Sequence, residues 1–206
     1  MTDKPLIHHN AQLILASSSK IRKQIMRDVQ LQFDVVPSPF DEDQAKKELI
    51  AKNSSCKKIA LQLAVGKALA VSKNFPTAYV IGSDQVCELD GCEMSKSNNI
   101  AEAIAQLNKL NGKTHFQNNA TVIAYRGKII FKNFSRVKLQ MRQLSLQQIE
   151  AYVNSEQSFG CAGSYQYESL GKHLFAKVEG DYYSVLGLAI QPLLSFLHEQ
   201  QIITFN

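Results

Sequence analysis

The sequence predicts an α/β protein in which helices flank a mixed, twisted β-sheet. Three observations support this: strand-like and helical segments alternate early in the chain, two long strand-like runs share a hairpin turn, and helices return near the end. The 206 residues are enough to bury a core, and 45% of them are hydrophobic. The chain contains neither an internal repeat nor a low-complexity linker, so we expect one large domain or two small lobes that share a cleft.

The first half of the chain is predicted to alternate strands and helices. Gln12–Ala16 is an apolar run typical of a short buried strand, and Lys20–Val29 has the spacing of an amphipathic helix capped by serine. Leu31–Val36 indicates a second strand, which two prolines end. Cys56–Ser72 carries a helical apolar stripe, and Ala78–Ile81, bounded by a proline and a glycine, predicts a buried central strand.

The second half is predicted to contain a hairpin between helices. Asn99–Leu110 has helical periodicity, and two strand-like runs follow, Thr114–Tyr125 and Lys128–Gln140. The Arg126-Gly127 pair between these runs is a hairpin signal. The remaining predictions are a serine-capped helix over Ser145–Val153, a loop over Gly160–Gly171, a strand over His173–Val178 and a closing helix after Pro192.

Charge and cysteine usage narrow the classes of function. The 23 basic and 18 acidic residues leave a net charge of +5, which favours an anionic partner. The basic residues are scattered rather than clustered with aromatics, so we expect no nucleic-acid surface. Met1–Asn10 is polar and no apolar run is long enough to span a membrane, which indicates a cytoplasmic protein. The four cysteines are expected to be small buried hydrophobes, neither disulfides nor metal ligands.

Two motifs could bind an anion or activate water. Ser17-Ser18-Ser19 precedes the helix that carries Arg22 and Lys23, and a helix N-terminus beside a guanidinium can bind phosphate. A plain serine cap is the commoner explanation for this motif alone. Asp84, in Gly82-Ser83-Asp84-Gln85, follows the central strand where open α/β sheets place ligands, and the glycine would let a ligand approach the backbone. A turn aspartate explains this motif equally well.

Two further features are individually weak. Glu42 lies in the acidic run 41–43, and carboxylates with lysines such as Lys67 and Lys96 could bind a divalent cation and phosphates. Solvated side chains are the default explanation for all three. In the 160–171 loop, Tyr165 and Tyr167 could stack on a flat ligand, or the loop could be purely structural. The residues by themselves therefore indicate a possible anion-binding protein with an acidic centre.

Taken in order, these segments resemble the Maf family, and within it the branch of 7-methyl-GTP pyrophosphatases. The similarity covers nearly the whole chain, and SDQVCELDG is its most specific part. The matching segments are LILASSSKIRKQIM (13–26), Asp41-Glu42, LAVGKA (63–68), VIGSDQVCELDG (80–91), Lys96, CAGSYQYESLG (161–171), LFAKVEG (174–180) and YYSVLGLAIQPL (182–193).

The resemblance implies a two-lobed fold over residues 1–206, with a nucleotide in the cleft and cleavage between its α- and β-phosphates. It implies that Asp84 activates water and that Glu42, with Asp84, binds Mg²⁺ or Mn²⁺. The triphosphate would contact Ser17, Ser19, Arg22, Lys67 and Lys96. The base would be selected by Ile21, Gln85 and Glu168, and an acidic Glu168 suits the positive charge of a 7-methylated guanine.

The chain departs from the family pattern at five positions. Lys20 and Ser97 stand where proline is usual, Gly66 where an acidic residue is usual and Ser169 where glycine is usual. Ile21 stands where the 7-methyl-GTP branch commonly has a tryptophan. These departures keep open a preference for dTTP, UTP or another nucleotide. A non-catalytic, nucleotide-binding regulator of cell division is the alternative from a different functional class. A homodimer is possible, as for many small α/β enzymes.

Overall fold

The computed structural model describes residues 6–206, which form nine strands and seven α-helices. The strands are β1 (Ile7–His9), β2 (Leu13–Leu15), β3 (Asp34–Val35), β4 (Tyr79–Leu89), β5 (Cys92–Met94), β6 (Thr114–Tyr125), β7 (Lys128–Met141), β8 (Phe175–Glu179) and β9 (Ile203–Phe205). The helices are α1 (Lys20–Asp28), α2 (Glu42–Ala51), α3 (Cys56–Ser72), α4 (Ile100–Leu110), α5 (Leu146–Glu156), α6 (Tyr182–Leu186) and α7 (Ile190–Glu199), with a 3₁₀ turn at Leu170–Leu174.

A seven-stranded mixed sheet organises the protein, as the sequence predicts. Its order is β3-β2-β4-β6-β7-β8, and β5 pairs with the far end of β4. β2 runs parallel to both β3 and β4, whereas the β4–β6, β6–β7 and β7–β8 pairs are antiparallel. β1 and β9 form a separate antiparallel pair that joins the two ends of the described chain.

Three apolar clusters hold helices against this sheet. α3 packs on the face of β4 and β6 that carries Val80 and Val122, with α2 beside it. α1 and α7 cover the opposite face, around Ile81 and Ile123. α4 and α5 pack together against Leu139 at the far end of β7. Helices thus lie on both faces of the sheet, as expected for this fold class.

Local chemistry explains the elements that the sequence predicts well. Helix α3 has the predicted bounds because Ser55 caps its first turn and a continuous apolar stripe faces the sheet. The β6–β7 hairpin turns at Arg126 and Gly127, with φ of 50° and 70°, the left-handed pair that two-residue hairpins require. Ser145 and Gln148 form the capping box that begins α5.

Several predicted elements differ from the observed ones. The central strand continues from Ile81 to Leu89, because β6 pairs with it through this polar segment. The strand predicted over Leu31–Val36 shortens to Asp34–Val35, and the one predicted at His173 begins only after a 3₁₀ turn. The closing helix begins before Pro192, which is tolerated because first-turn N–H groups lack helical partners. Strands β1, β5 and β9 and helix α6 were not predicted.

Gly82 serves helix packing in this structure. A Cβ at this position would lie 2.4 Å from the carbonyl oxygen of Ala64 and 2.9 Å from the Cβ of Ala68, both on α3. The missing side chain therefore lets α3 approach β4 closely. This is a different reason for the glycine from the close ligand approach that the sequence suggests.

The cysteine prediction is half right. Cys56 and Cys87 are buried, but Cys92 is exposed at the start of β5 and Cys161 is partly exposed in a loop. All four are free thiols. None of the helices in residues 6–206 combines the length and hydrophobicity needed to cross a membrane. Residues 1–5, half of the polar segment noted at the start of the sequence, lie outside the described residues.

Candidate active site

A cavity of about 380 Å³ lies at a gap in the sheet. β2 pairs with β4 only over Tyr79–Ile81, and β5 pairs with the same edge only from Cys87 onward. Within the described part of the chain, no strand covers the intervening edge, residues 82–86. Because side chains of a strand alternate between faces, Asp84 and Gln85 project to opposite faces of β4 beside this gap. Both line the cavity.

The observed position of Asp84 corrects the sequence-based one. Asp84 lies in the interior of β4, paired across from Ala120, and not in a turn or at the carboxyl end of its own strand. It lies instead beyond the carboxyl end of β2, its parallel neighbour. Asp84 is only 8% exposed. A buried carboxylate of this kind needs a cationic partner.

Lys67 is that partner, and it joins the two acidic residues singled out in the sequence. Its Nζ lies 2.7 Å from Asp84 Oδ1 and 2.6 Å from Glu42 Oε2. α3 carries Lys67, which is 5% exposed, and the first turn of α2 carries Glu42. The default expectation of a solvated lysine is therefore wrong for Lys67. Lys96, by contrast, is exposed, as expected for a solvated lysine.

The Glu42–Asp84 pair suits a divalent cation that a substrate would help to coordinate. Both oxygens reach the same ammonium, so one cation could contact both. Mg²⁺ typically takes one or two protein carboxylates and completes its shell with water and substrate phosphates. Among residues 6–206, no cluster of three or more His, Cys, Asp and Glu side chains could hold a metal by itself. The donor set thus fits a metal that arrives with phosphate ligands.

The serine-rich turn leads into α1 and holds an arginine. Ser19 caps the helix by accepting from the Arg22 backbone N–H, and the Ser17 hydroxyl accepts from Arg22 Nη1 at 3.2 Å. Burial lowers the pKa of Arg22, while the negative charges of Asp84 and Glu42 act in the opposite direction. Arginine side chains remain protonated in proteins, so Arg22 supplies a positive charge to the cavity. Helix N–H groups and a guanidinium therefore face one cavity, which suits a phosphate.

The end of α6 and the loop that follows it complete the site, a role that the sequence did not reveal. Gln85 Nε2 donates to the Val185 carbonyl at 2.7 Å, and Arg22 Nε donates to the Gly187 carbonyl at 2.8 Å. The Ser83 hydroxyl also lies 2.8 Å from the Gly187 oxygen. Gly187 has φ of 101°, and a Cβ there would press on Gln85 and Arg22. The signal in the sequence was the lone glycine of YYSVLGLAI.

All ten residues singled out as site residues line this one cavity. They are Ser17, Ser19, Ile21, Arg22, Glu42, Lys67, Asp84, Gln85, Lys96 and Glu168. Glu168, like Lys96, is exposed and has no hydrogen-bond or ion-pair partner within residues 6–206. The cavity thus combines a buried charged centre with solvent-facing charges at its rim.

The structure gives a packing reason for one departure from the family pattern. A Cβ at Gly66 would lie 2.4–2.6 Å from the ring of Phe40, so an acidic side chain at this position would require that ring to move. Ser97 is 1% exposed, and its hydroxyl accepts from Ser164 at 2.8 Å. Ile21 is partly buried in the cavity wall. Nothing in the structure explains Lys20 or Ser169.

The two tyrosines of the 160–171 loop have different environments. Tyr165 is 4% exposed and packs edge-on against Phe175, while its hydroxyl lies 3.0 Å from His115 Nε2. It is therefore part of the third apolar cluster as well as of the cavity wall. Tyr167 is half-buried and also lines the cavity. Tyr167 is the better placed of the two to meet a ligand.

His115 makes the stability of this region sensitive to acid. Burial lowers its pKa from 6.5 to about 4. Between these values the unfolded chain binds a proton at His115 that the folded chain does not, so folding weakens as the pH falls. The full difference corresponds to roughly 3 kcal/mol. We expect His115→Phe to remove this contribution to the pH dependence of the unfolding free energy. Urea unfolding of both proteins at pH 7, 5.5 and 4.5 would measure it. If the unfolding free energies of the two proteins fell in parallel with pH, His115 would not be the source of the acid sensitivity.

Comparisons with known proteins agree with this geometry. Residues 12–200 match the model of a family described as Maf-like protein. A nucleoside triphosphate pyrophosphatase of Bradyrhizobium diazoefficiens is 40% identical over 193 residues, 93% of this chain and 95% of that protein. A protein of the same name from Legionella pneumophila is 38% identical over 185 residues, 90% and 92% of the two chains. This chain belongs to the Maf family.

Proposed function

We propose that this protein hydrolyses nucleoside triphosphates to nucleoside monophosphates and pyrophosphate, with 7-methyl-GTP as its preferred substrate. The observation that carries the proposal is the buried Lys67 between Asp84 and Glu42, with Arg22 facing the same cavity. The activity is the one named for the relatives in Bradyrhizobium and Legionella. The proposal treats residues 1–206 as one domain of two lobes, acting in the cytoplasm.

The chemistry requires a proton acceptor beside concentrated positive charge. Water attacks the α-phosphorus, its oxygen forms the new P–O bond, and the bond from the α-phosphorus to the bridging oxygen breaks to release pyrophosphate. Asp84 accepts the proton of the attacking water; its Oδ1 accepts from Lys67, whereas Oδ2 has no partner among the described residues. The proposed metal, Mg²⁺ or Mn²⁺ held by Glu42 and Asp84, would act as a Lewis acid on phosphate oxygens.

The cations of the site would stabilise the charge that develops during attack. Arg22 and the Ser17–Ser19 turn would bind the phosphates at the N-terminus of α1. Lys67 and Lys96 would neutralise charge on the phosphate oxygens, and Arg22 is held in place by the Gly187 carbonyl. A prearranged set of donors stabilises a transition state better than mobile water does.

Product analysis tests the reaction directly. The purified protein is incubated with 7-methyl-GTP, GTP, dTTP and UTP at equal concentration, with Mg²⁺, Mn²⁺ or EDTA, and the products are separated by chromatography. We expect pyrophosphate and the monophosphate, no orthophosphate, and loss of activity in EDTA. Nucleotide binding without turnover under either metal would contradict the proposal and support a non-catalytic regulator. Faster turnover of dTTP or UTP would retain the reaction and overturn the methylated substrate.

Glu168 supports the choice of a positively charged base. Its carboxylate lies at the rim of the cavity, where an opposite charge about 4 Å away gains roughly 1 kcal/mol in water. We therefore expect Glu168→Gln to lower kcat/KM for 7-methyl-GTP by about fivefold and to change that for GTP far less. Because the site is exposed, the effect should shrink at 0.5 M salt. Equal loss for both nucleotides would mean that Glu168 does not sense the methyl-induced charge.

A further inference from the structure

The wall of the cavity contains a buried hydrogen-bond acceptor without a partner. Gln117, on β6, is 1% exposed, and its Oε1 has no hydrogen-bond partner among residues 6–206. An unpaired polar atom in the interior costs roughly 1–3 kcal/mol. Most buried polar atoms in native proteins are paired, so an exception beside a cavity is a place where a ligand can supply the missing partner.

The orientation of this amide is fixed by its neighbours. Gln117 Nε2 lies 3.0 Å from the Ala162 carbonyl oxygen and 2.7 Å from the Tyr165 hydroxyl. A carbonyl oxygen can only accept, so the nitrogen must face Ala162 and the oxygen must face away from it. Exchanging the two atoms would place two acceptors 3.0 Å apart. Oε1 is therefore the atom left for a ligand.

Gln117 is one of three acceptors among the residues that line the cavity. Gln85 is fixed in the same way, because its Nε2 donates to the Ser184 and Val185 carbonyls and Oε1 is left without a partner in the described chain. Gln85 pairs across from Asn119, so it lies diagonally from Gln117 on the same face of the sheet. Glu168 is the third, and its carboxylate can only accept when ionised.

We infer that Gln117 is a specificity-determining residue whose Oε1 accepts an N–H from the substrate base, and that the wall selects bases rich in donors. The inference rests on the proposed function. The guanine edge presents a ring N–H beside an amino group, whereas uracil and thymine present one N–H between two carbonyl oxygens. Those oxygens would face acceptors, which is unfavourable.

The test compares Gln117→Met with the wild type on guanosine, inosine and uridine triphosphates. Methionine retains the length of the side chain and removes the amide. One lost hydrogen bond predicts a three- to tenfold drop in kcat/KM for the guanosine nucleotide. For uridine triphosphate, kcat/KM should change less than twofold. In the wild type, the inosine nucleotide should have a lower kcat/KM than the guanosine nucleotide, because it lacks the 2-amino group. An equal drop for all three nucleotides, or none, would overturn the inference.

Tyr165→Phe is the matched control for a structural role. It removes the hydroxyl that accepts from Gln117 but retains the amide and the Ala162 contact. We expect this variant to keep the guanosine-to-uridine preference that Gln117→Met loses, with both melting temperatures recorded. Loss of the preference in both variants would assign Gln117 to loop support and reject base reading. If no nucleotide releases pyrophosphate even from the wild type, the proposed function itself fails, and binding of guanosine and uridine monophosphates then decides the role of Gln117.

Discussion

Replacing Asp84 with asparagine is expected to lower kcat for pyrophosphate release by about 10²–10⁴-fold, the usual contribution of a positioned base. Asparagine has nearly the same shape, and its amide oxygen can still accept from Lys67, whose Nζ lies 2.7 Å from Oδ1 in the wild type. What it loses is the ability to accept the proton of the attacking water, together with the negative charge that would help to bind the metal. The fall should therefore appear in kcat, with a small change in the affinity for the nucleotide.

The control for this variant is Glu48→Gln on α2. Glu48 is an exposed carboxylate whose side chain, within residues 6–206, accepts only from Gln44, one turn earlier on the helix. The Glu48→Gln protein should hydrolyse nucleotide at the wild-type rate. This would show that the loss of a negative charge by itself does not explain the lower kcat of Asp84→Asn. Rates are measured by pyrophosphate release at saturating nucleotide. An Asp84→Asn protein with more than a tenth of the wild-type kcat would remove Asp84 from this role.

The sequence predicts the fold where local chemistry decides it. Helix α3 and the β6–β7 hairpin carry their own signals, a capped apolar stripe and a two-residue turn with glycine. Strand β4 beyond Ile81 carries no such signal, because its polar residues are held in place by pairing with β6 from a distant part of the chain. β1 and β9 depend in the same way on each other, across almost the full length of the sequence.

The site likewise has features that the sequence predicts and features that depend on contacts between distant residues. All ten residues that the family resemblance implies for the site line the cavity, but the sequence could not show that Lys67 is buried between two carboxylates. Lysine is usually solvated, and only the approach of α3 to β4 at Gly82 places it here. Gln117 and Gly187 were missed because their roles depend on contacts with residues far along the chain.

Replacing Lys67 with methionine is expected to cost about 3 kcal/mol of unfolding free energy. Methionine retains length and apolar contact but removes the cation that pairs with Asp84, which is 8% exposed. Breaking a buried ion pair from one side typically costs about 3–5 kcal/mol, because the remaining charge is left without a partner. Glu42 is more exposed than Asp84, so it is destabilised less when Lys67 is removed. The positive charge of Arg22 lies near enough to offset part of the lost attraction, so we expect the lower end of this range of unfolding free energies.

Three comparisons make this result specific to the charge pair. Lys58→Met, an exposed lysine on the same helix, should leave the urea midpoint nearly unchanged. The double variant Lys67→Met with Asp84→Asn should have a higher unfolding free energy than Lys67→Met alone, because it leaves no unpaired charge at the buried position 84. Mn²⁺ should raise the midpoint of Lys67→Met more than that of the wild type, since in the wild type the Lys67 ammonium already contacts both carboxylates. Strictly additive single losses would mean that Lys67 and Asp84 do not interact as the geometry implies.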